Sequence, residues 1–91
     1  MNTIKLHFTP DDSTRPACIG NGNTITAALA SLESHVIETY GLSATFDTNL
    51  EYQRDLFDIF EILHENDGIY HVYDFSNPEN SFSISRQPLS R

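Results

Sequence analysis

Hydrophobic and polar residues alternate strictly at the start of the chain. A period of two over residues 3–9 predicts a half-buried β-strand. Its apolar positions are Ile4, Leu6 and Phe8. Turn-forming residues follow at 9–14, with room for a short second strand at 16–19. The run Gly20-Asn21-Gly22-Asn23 is then expected to break the chain before a helix.

The apolar spacing becomes helical after this break. From about Thr24 to Tyr40, apolar residues recur every three or four positions, which predicts an amphipathic helix. Its apolar stripe consists of Ile25, Leu29, Leu32, Val36 and Tyr40. Asn23 is the expected N-cap, and Gly41 is the expected left-handed residue that ends the helix.

A second amphipathic helix is predicted after a short alternating strand at 42–46. Thr48 and Glu51 have the spacing of a capping box, in which a hydroxyl and a carboxylate satisfy backbone amides at the helix start. The helix is expected to reach His64 or Glu65. Its apolar stripe consists of Tyr52, Leu56, Ile59, Phe60 and Leu63.

The C-terminal part of the chain predicts a β-hairpin. Residues 69–75 are aromatic and β-branched on both faces, which predicts a strand in the centre of the sheet. A turn at 76–80 joins it to an alternating strand at 81–85. We expect Tyr73 and Tyr52 to be mostly buried. If the helices cover only one face of the sheet, Tyr70 and Val72 are expected on the exposed face.

This order of elements predicts an α+β fold in a single domain spanning residues 1–91. The expected architecture is a small two-layer sandwich, with a mainly antiparallel sheet of three to five strands and two amphipathic helices on one face. The order of the strands in the sheet stays open.

Charge is distributed unevenly along this framework. Eleven of the thirteen carboxylates lie between Glu33 and Glu79, where Arg54 is the sole Lys or Arg, so this stretch has a formal charge of −10. Such a field repels nucleic acid and anionic membranes and attracts basic surfaces. No apolar run approaches the ~18 residues of a membrane span. A small domain with Cys18 as its single cysteine cannot rely on disulfides, which predicts a reducing cytoplasm.

The carboxylates of the second helix are expected to form a partner-binding surface. Helical geometry places four of them within about 80° of arc, opposite the apolar stripe, with a fifth beside them. They are Glu51, Asp55, Asp58 and Glu65, with Glu61 as the neighbour. Their separation of about 5–6 Å roughly matches the phosphate spacing of a nucleic-acid strand. The anchoring energy is expected elsewhere, in a few partly apolar residues such as Tyr70. The alternative is an ordinary solvated helix face.

No residue pattern indicates catalysis or metal binding. The glycine-rich run before the first helix lacks the lysine and the spacing of a phosphate loop. His64, Glu65 and Asp67 are close in sequence but do not form a zinc motif. His71 is expected to be partly buried and hydrogen-bonded. Cys18 lacks a local nucleophile signature and is expected to be a small core residue.

These features together predict a small, acidic, non-enzymatic inhibitor without cofactor or metal. Its expected partner is the basic, nucleic-acid-binding surface of a protein or ribonucleoprotein complex, as for phage or plasmid anti-CRISPR and antirestriction proteins. It is not expected to bind free nucleic acid or a membrane. The alternatives are a nuclease immunity protein or antitoxin, and a small accessory or assembly domain with a solvated acidic surface.

Overall fold

The strands form one antiparallel sheet, as the alternating segments predict. The computed structural model describes residues 3–40, 56–65, 67–73 and 75–89. Within them, the elements in chain order are β1 (Ile4–Pro10), β2 (Cys18–Gly22), α1 (Ile25–Tyr40), α2 (Leu56–His64), β3 (Ile69–Val72), a 3-10 turn (Pro78–Asn80) and β4 (Phe82–Ser85). The strand order is β2-β1-β4-β3, and all neighbouring strands are antiparallel. The described chain is a compact α+β fold with one four-stranded sheet, one long helix and one short helix.

One face of the sheet carries the core. The alternation in β1 is confirmed, because Leu6 and Phe8 are buried while Lys5 between the inward positions is exposed. Phe8 stacks on Phe82 of β4 with ring centroids 4.7 Å apart. The buried cluster also includes residues of β2, β3 and both helices; its full membership is Leu6, Phe8, Cys18, Ile25, Ala28, Leu29, Leu32, Val36, Ile59, Leu63, Tyr70, Phe82 and Ile84.

The second strand corrects the prediction of a chain break at Gly20-Asn21-Gly22-Asn23. β2 continues through Gly20 to Gly22 because α1 packs directly on its backbone. A Cβ added to Gly20 would lie 2.6 Å from Cα of Leu32, and closer still to the backbone nitrogen of that residue. A Cβ on Gly22 would lie 2.7 Å from the carbonyl carbon of Ala27. The glycines therefore allow a close approach of helix and strand, which is a recognised role of glycine within a strand.

The first helix matches its predicted apolar stripe but begins differently. Ile25, Leu29, Leu32 and Val36 are buried, as predicted. The cap is Thr24 and not Asn23: the Thr24 hydroxyl accepts a hydrogen bond of 3.1 Å from the Ala27 amide, and the Thr24 carbonyl accepts one of 2.9 Å from the Ala28 amide. A threonine hydroxyl satisfies an orphan amide as an asparagine would.

The second helix is described from Leu56 and ends at His64, where the sequence predicts its end. Ile59 and Leu63 are buried and Phe60 is partly buried. Arg86 donates to the carbonyls of Leu63 and His64, both at 3.4 Å, and so satisfies the end of the helix. The expected Gly41 cap, the strand at 42–46, the Thr48–Glu51 capping box and the burial of Tyr52 lie outside the described residues, as do the side chains of 56–58.

The C-terminal hairpin is confirmed, but the prediction that its first strand is central is wrong. β3 pairs with β4 and lies at one end of the strand order, while β1 and β4 occupy the middle. β4 fits there because its outward side chains are small. Ser83 and Ser85 are buried between the larger side chains of the two flanking strands.

Candidate protein-binding surface

The acidic residues of α2 face away from the core where the structure describes them. Glu61 within α2 and Glu65 directly after its last residue are exposed. Helical geometry places Glu61 on the opposite side of α2 from the buried Ile59 and Leu63. Asp58 lies within α2, but its side chain is outside the described residues, as are Glu51 and Asp55 altogether. The part of the predicted acidic surface that can be located is therefore Glu61 and Glu65.

Tyr70 does not lie on an exposed surface, so the expectation that it would be accessible as an anchor is wrong. Its exposed fraction is 9%, and it belongs to the buried cluster together with Ile84, the β4 residue opposite it. Val72, on the same side of β3, is partly buried against this cluster. The core lies against the side of β3 that carries Tyr70. Side chains alternate along a strand, so Ile69 and His71 point to the opposite side, toward solvent.

The outward residues of β3 and of the segment after it are large and apolar. Ile69 is 50% exposed, Tyr73 is 48% exposed and Phe75 is 88% exposed. We call these three residues the β3 strip. The Tyr73 and Phe75 rings contact edge to face, with centroids 4.8 Å apart and planes at 73°. The prediction that Tyr73 is mostly buried is wrong, because the core lies on the side of β3 that carries Tyr70 and Tyr73 lies on the other side.

The alternation that forms the strip is visible in the sequence as Ile69, His71, Tyr73 and Phe75. The expectation that Tyr73 is mostly buried assigned this side of the strand to the core. A strand with apolar residues on both sides is typical of two situations. Either both sides are buried within the fold, or one side is buried and the other is available to a binding partner. The chain alone does not distinguish these cases.

His71 connects the strip to the first hairpin of the sheet. It is hydrogen-bonded, as predicted, but it is exposed and not partly buried. Its Nε2 lies 3.0 Å from Oδ2 of Asp11 and 3.2 Å from Oδ1. Asp11 follows directly after β1, and its backbone amide donates to the Ser81 carbonyl at 3.0 Å. The carboxylate is thus held beside the outward side of β3.

The arrangement of the other histidines and of the cysteine favours structural roles. Among the described residues, no three potential metal ligands lie close enough to hold an ion. Cys18 is buried, and its Sγ contacts the Thr39 hydroxyl at 3.7 Å and the His35 carbonyl at 4.0 Å. The Nδ1 of His35 hydrogen-bonds to the carbonyl of Ile19 and ties α1 to β2. Burial lowers the pKa of His7 below its ordinary value, and the nearby Lys5 lowers it further.

A second set of contacts holds the loops at one end of the sheet. Arg15 lies over the ring of Tyr40, 4.7 Å from the centroid. It also donates to the Glu79 carbonyl at 2.9 Å and to Oδ1 of Asn80 at 2.8 Å. The Tyr40 hydroxyl donates to the carbonyl of Pro16. Arg15 therefore fixes the loop that follows the strip against the loop between β1 and β2.

Neither α1 nor the described part of α2 is long and apolar enough to span a bilayer. Comparison of the chain with protein-family models, with curated proteins and with solved structures found no match.

Proposed function

We propose that this protein is a small, non-enzymatic, cytoplasmic inhibitor that binds the basic, nucleic-acid-binding surface of a protein or ribonucleoprotein complex. The observation that supports this proposal best is the exposure of Glu61 on the solvent side of α2, and of Glu65 directly after the helix, in a chain of net charge −8. Proteins of the anti-CRISPR and antirestriction type work in this manner. The partner's cations would be attracted by the field that repels free nucleic acid.

The proposal treats α2 as the amphipathic helix that the sequence predicts. Ile59 and Leu63 pack into the shared core, on the sheet face that α1 also covers. The proposed binding surface adds Glu51, Asp55 and Asp58 to the two exposed glutamates on grounds of sequence spacing. One helical turn separates successive carboxylates, so the surface would present charges about 5–6 Å apart to a groove lined with lysine and arginine.

The experiment compares charge reversals at two exposed positions. Glu61→Lys changes the proposed surface, while Glu38→Lys makes the same change in net charge on α1. Wild type and variants are immobilised and exposed to host lysate at low and at high salt, and retained proteins are identified by mass spectrometry. We expect nucleic-acid-handling proteins to be retained at low salt, displaced by added DNA or RNA, and retained less by Glu61→Lys than by Glu38→Lys.

Association kinetics with the purified partner give the sharper measurement. Charges at the rim of an interface act mainly on the on-rate, so Glu61→Lys should slow association more than it speeds dissociation. The protein alone should not retain a plain oligonucleotide near physiological salt, since few of its residues can contact phosphates. Equal on-rates for Glu61→Lys and Glu38→Lys, or retention that competing nucleic acid does not affect, would contradict the proposal.

A further inference from the structure

Three of the four exposed large apolar side chains of the described residues belong to the β3 strip. Phe75 makes little contact with the rest of the molecule, and half of Ile69 and about half of Tyr73 are open to solvent. Exposed apolar side chains are common singly, but several grouped together, two of them in ring contact, are typical of an interaction site. Aromatic residues of this kind are also frequent among the side chains that dominate binding energy.

Three carboxylates that precede or follow the strip along the chain are open to solvent. Glu65 and Asp67 lie in the connection just before β3, and Glu79 lies in the loop after it; all three are exposed. Two arginines of the described chain are engaged by contacts within the fold. Arg86 donates to the last carbonyls of α2, and Arg15 donates to the loop that carries Glu79.

This distribution of charge selects among possible occupants. A second copy of the chain meeting the strip through the same surface would bring like-charged carboxylates together, which costs free energy. A nucleic acid could stack its bases on the rings, but its phosphates would meet the same repulsion. A cationic segment of a protein is attracted by the same field.

The exposed rings favour arginine over lysine as the cation. The faces of aromatic rings carry negative charge density, and a planar guanidinium stacks on them while its edge donates to carboxylates. The edge-to-face contact between Tyr73 and Phe75 leaves ring faces open to such stacking. Arg15 over Tyr40 shows the stacking within the fold itself, with its edge donating to a backbone carbonyl and to an amide oxygen.

We propose that the β3 strip anchors an arginine-bearing segment of a protein partner, with a guanidinium on the ring of Tyr73 or Phe75 and apolar contact at Ile69. This inference rests on the proposed function and deepens it: the carboxylates of α2 attract the partner and the strip holds it. Ile69 and Tyr73 are four residues apart, about 13 Å along a strand. An extended partner segment reaches both.

The test measures binding of two labelled peptides by fluorescence anisotropy. One alternates arginine with glycine, and the other alternates lysine with glycine at the same length and charge. We expect the wild type to bind the arginine peptide more tightly. Phe75→Ala and Tyr73→Ala should each weaken that complex about two- to fivefold and reduce the preference for arginine. Phe75→Tyr should keep the preference because it keeps the ring.

Ile19→Ala is the matched control. Ile19 is also an exposed apolar residue, at 43%, but it lies on β2 at the other end of the sheet. It should leave the affinity for both peptides unchanged. Circular dichroism of every variant confirms that the fold is intact, which is expected for Phe75 because its side chain contributes little to the core.

The outcomes separate this inference from the proposed function. Equal binding of the two peptides by the wild type, or unchanged affinity in both ring variants, overturns the anchoring role of the strip. If Glu61→Lys still slows association with the purified partner, the proposed function stands without it. A wild type that sedimentation shows to be a dimer, and that Phe75→Ala converts to a monomer, also overturns the inference, because a second copy would then cover the strip.

Discussion

Replacing Gly20 by alanine tests whether α1 packs directly on the backbone of β2. The added Cβ would lie 2.6 Å from Cα of Leu32 and closer still to the Leu32 nitrogen and the Ala28 carbonyl oxygen, whereas ordinary contacts of a Cβ are 3.4–4 Å. These neighbours are backbone atoms, so no side-chain rotation relieves the contact. The helix must retreat from the strand by roughly 1 Å, and a close-packed interior cannot absorb that without loss of contacts elsewhere.

The magnitude follows from two opposing effects. Overpacking a core costs about 1–3 kcal/mol and occasionally more. A change from glycine to alanine also restricts the unfolded chain, which favours folding by ~0.4–1 kcal/mol where the backbone allows it. Because the crowding here involves backbone atoms of α1, we expect the overpacking to cost about 4 kcal/mol, above the usual range, and the net loss to be about 3 kcal/mol. That is a large part of the ~5–15 kcal/mol available to a small domain.

Thermal and urea unfolding followed by circular dichroism measure this loss. For a domain of this size, 3 kcal/mol corresponds to a melting temperature lower by about 12–24 °C and a urea midpoint lower by about 1–3 M. Asn21→Ala is the control, because Asn21 is the next residue of β2 and its side chain points to solvent. We expect that change to stay within ~0.5 kcal/mol of wild type. Equal stability of the two variants would refute the close packing and would support the interpretation of Gly20 as part of a simple turn.

Two further predictions concern the core and the pH dependence of stability. Phe82→Ala should lower the free energy of unfolding by about 3–5 kcal/mol, because Phe82 is buried and stacked on Phe8. The exposed Phe75 is the control, and Phe75→Ala should stay within ~0.5 kcal/mol of wild type. Equal urea midpoints for the two variants would refute this assignment of core and surface. His7 has a lowered pKa in the folded protein, because burial and, secondly, Lys5 disfavour its charged form. The unfolded chain therefore binds more protons as the pH falls below about 6.5, and stability decreases until the folded pKa is passed. His7→Gln should flatten this dependence in urea unfolding at a series of pH values, and an unchanged slope would exclude a contribution from His7.

Part of the fold is predictable because it depends on local spacing. The period of two in β1 and β4 and the helical period in α1 place Leu6, Leu32 and Ile84 on the buried sides of their elements. The end of α2 at His64 and the hairpin between β3 and β4 also follow from local sequence. These features require only that an apolar side of one element be covered by another.

The sequence by itself determined which residues share a side of each strand and helix, and how unevenly charge is distributed along the chain. Only the tertiary structure decided which side of β3 faces the core, since both sides are apolar and a shift of one residue exchanges them. Packing placed Tyr70 inside and Tyr73 and Phe75 outside. It also decided that Gly20 lies under a helix. The close approach of the β2 and α1 backbones depends on how two separate elements pack, and the local spacing of residues around Gly20 does not specify that packing.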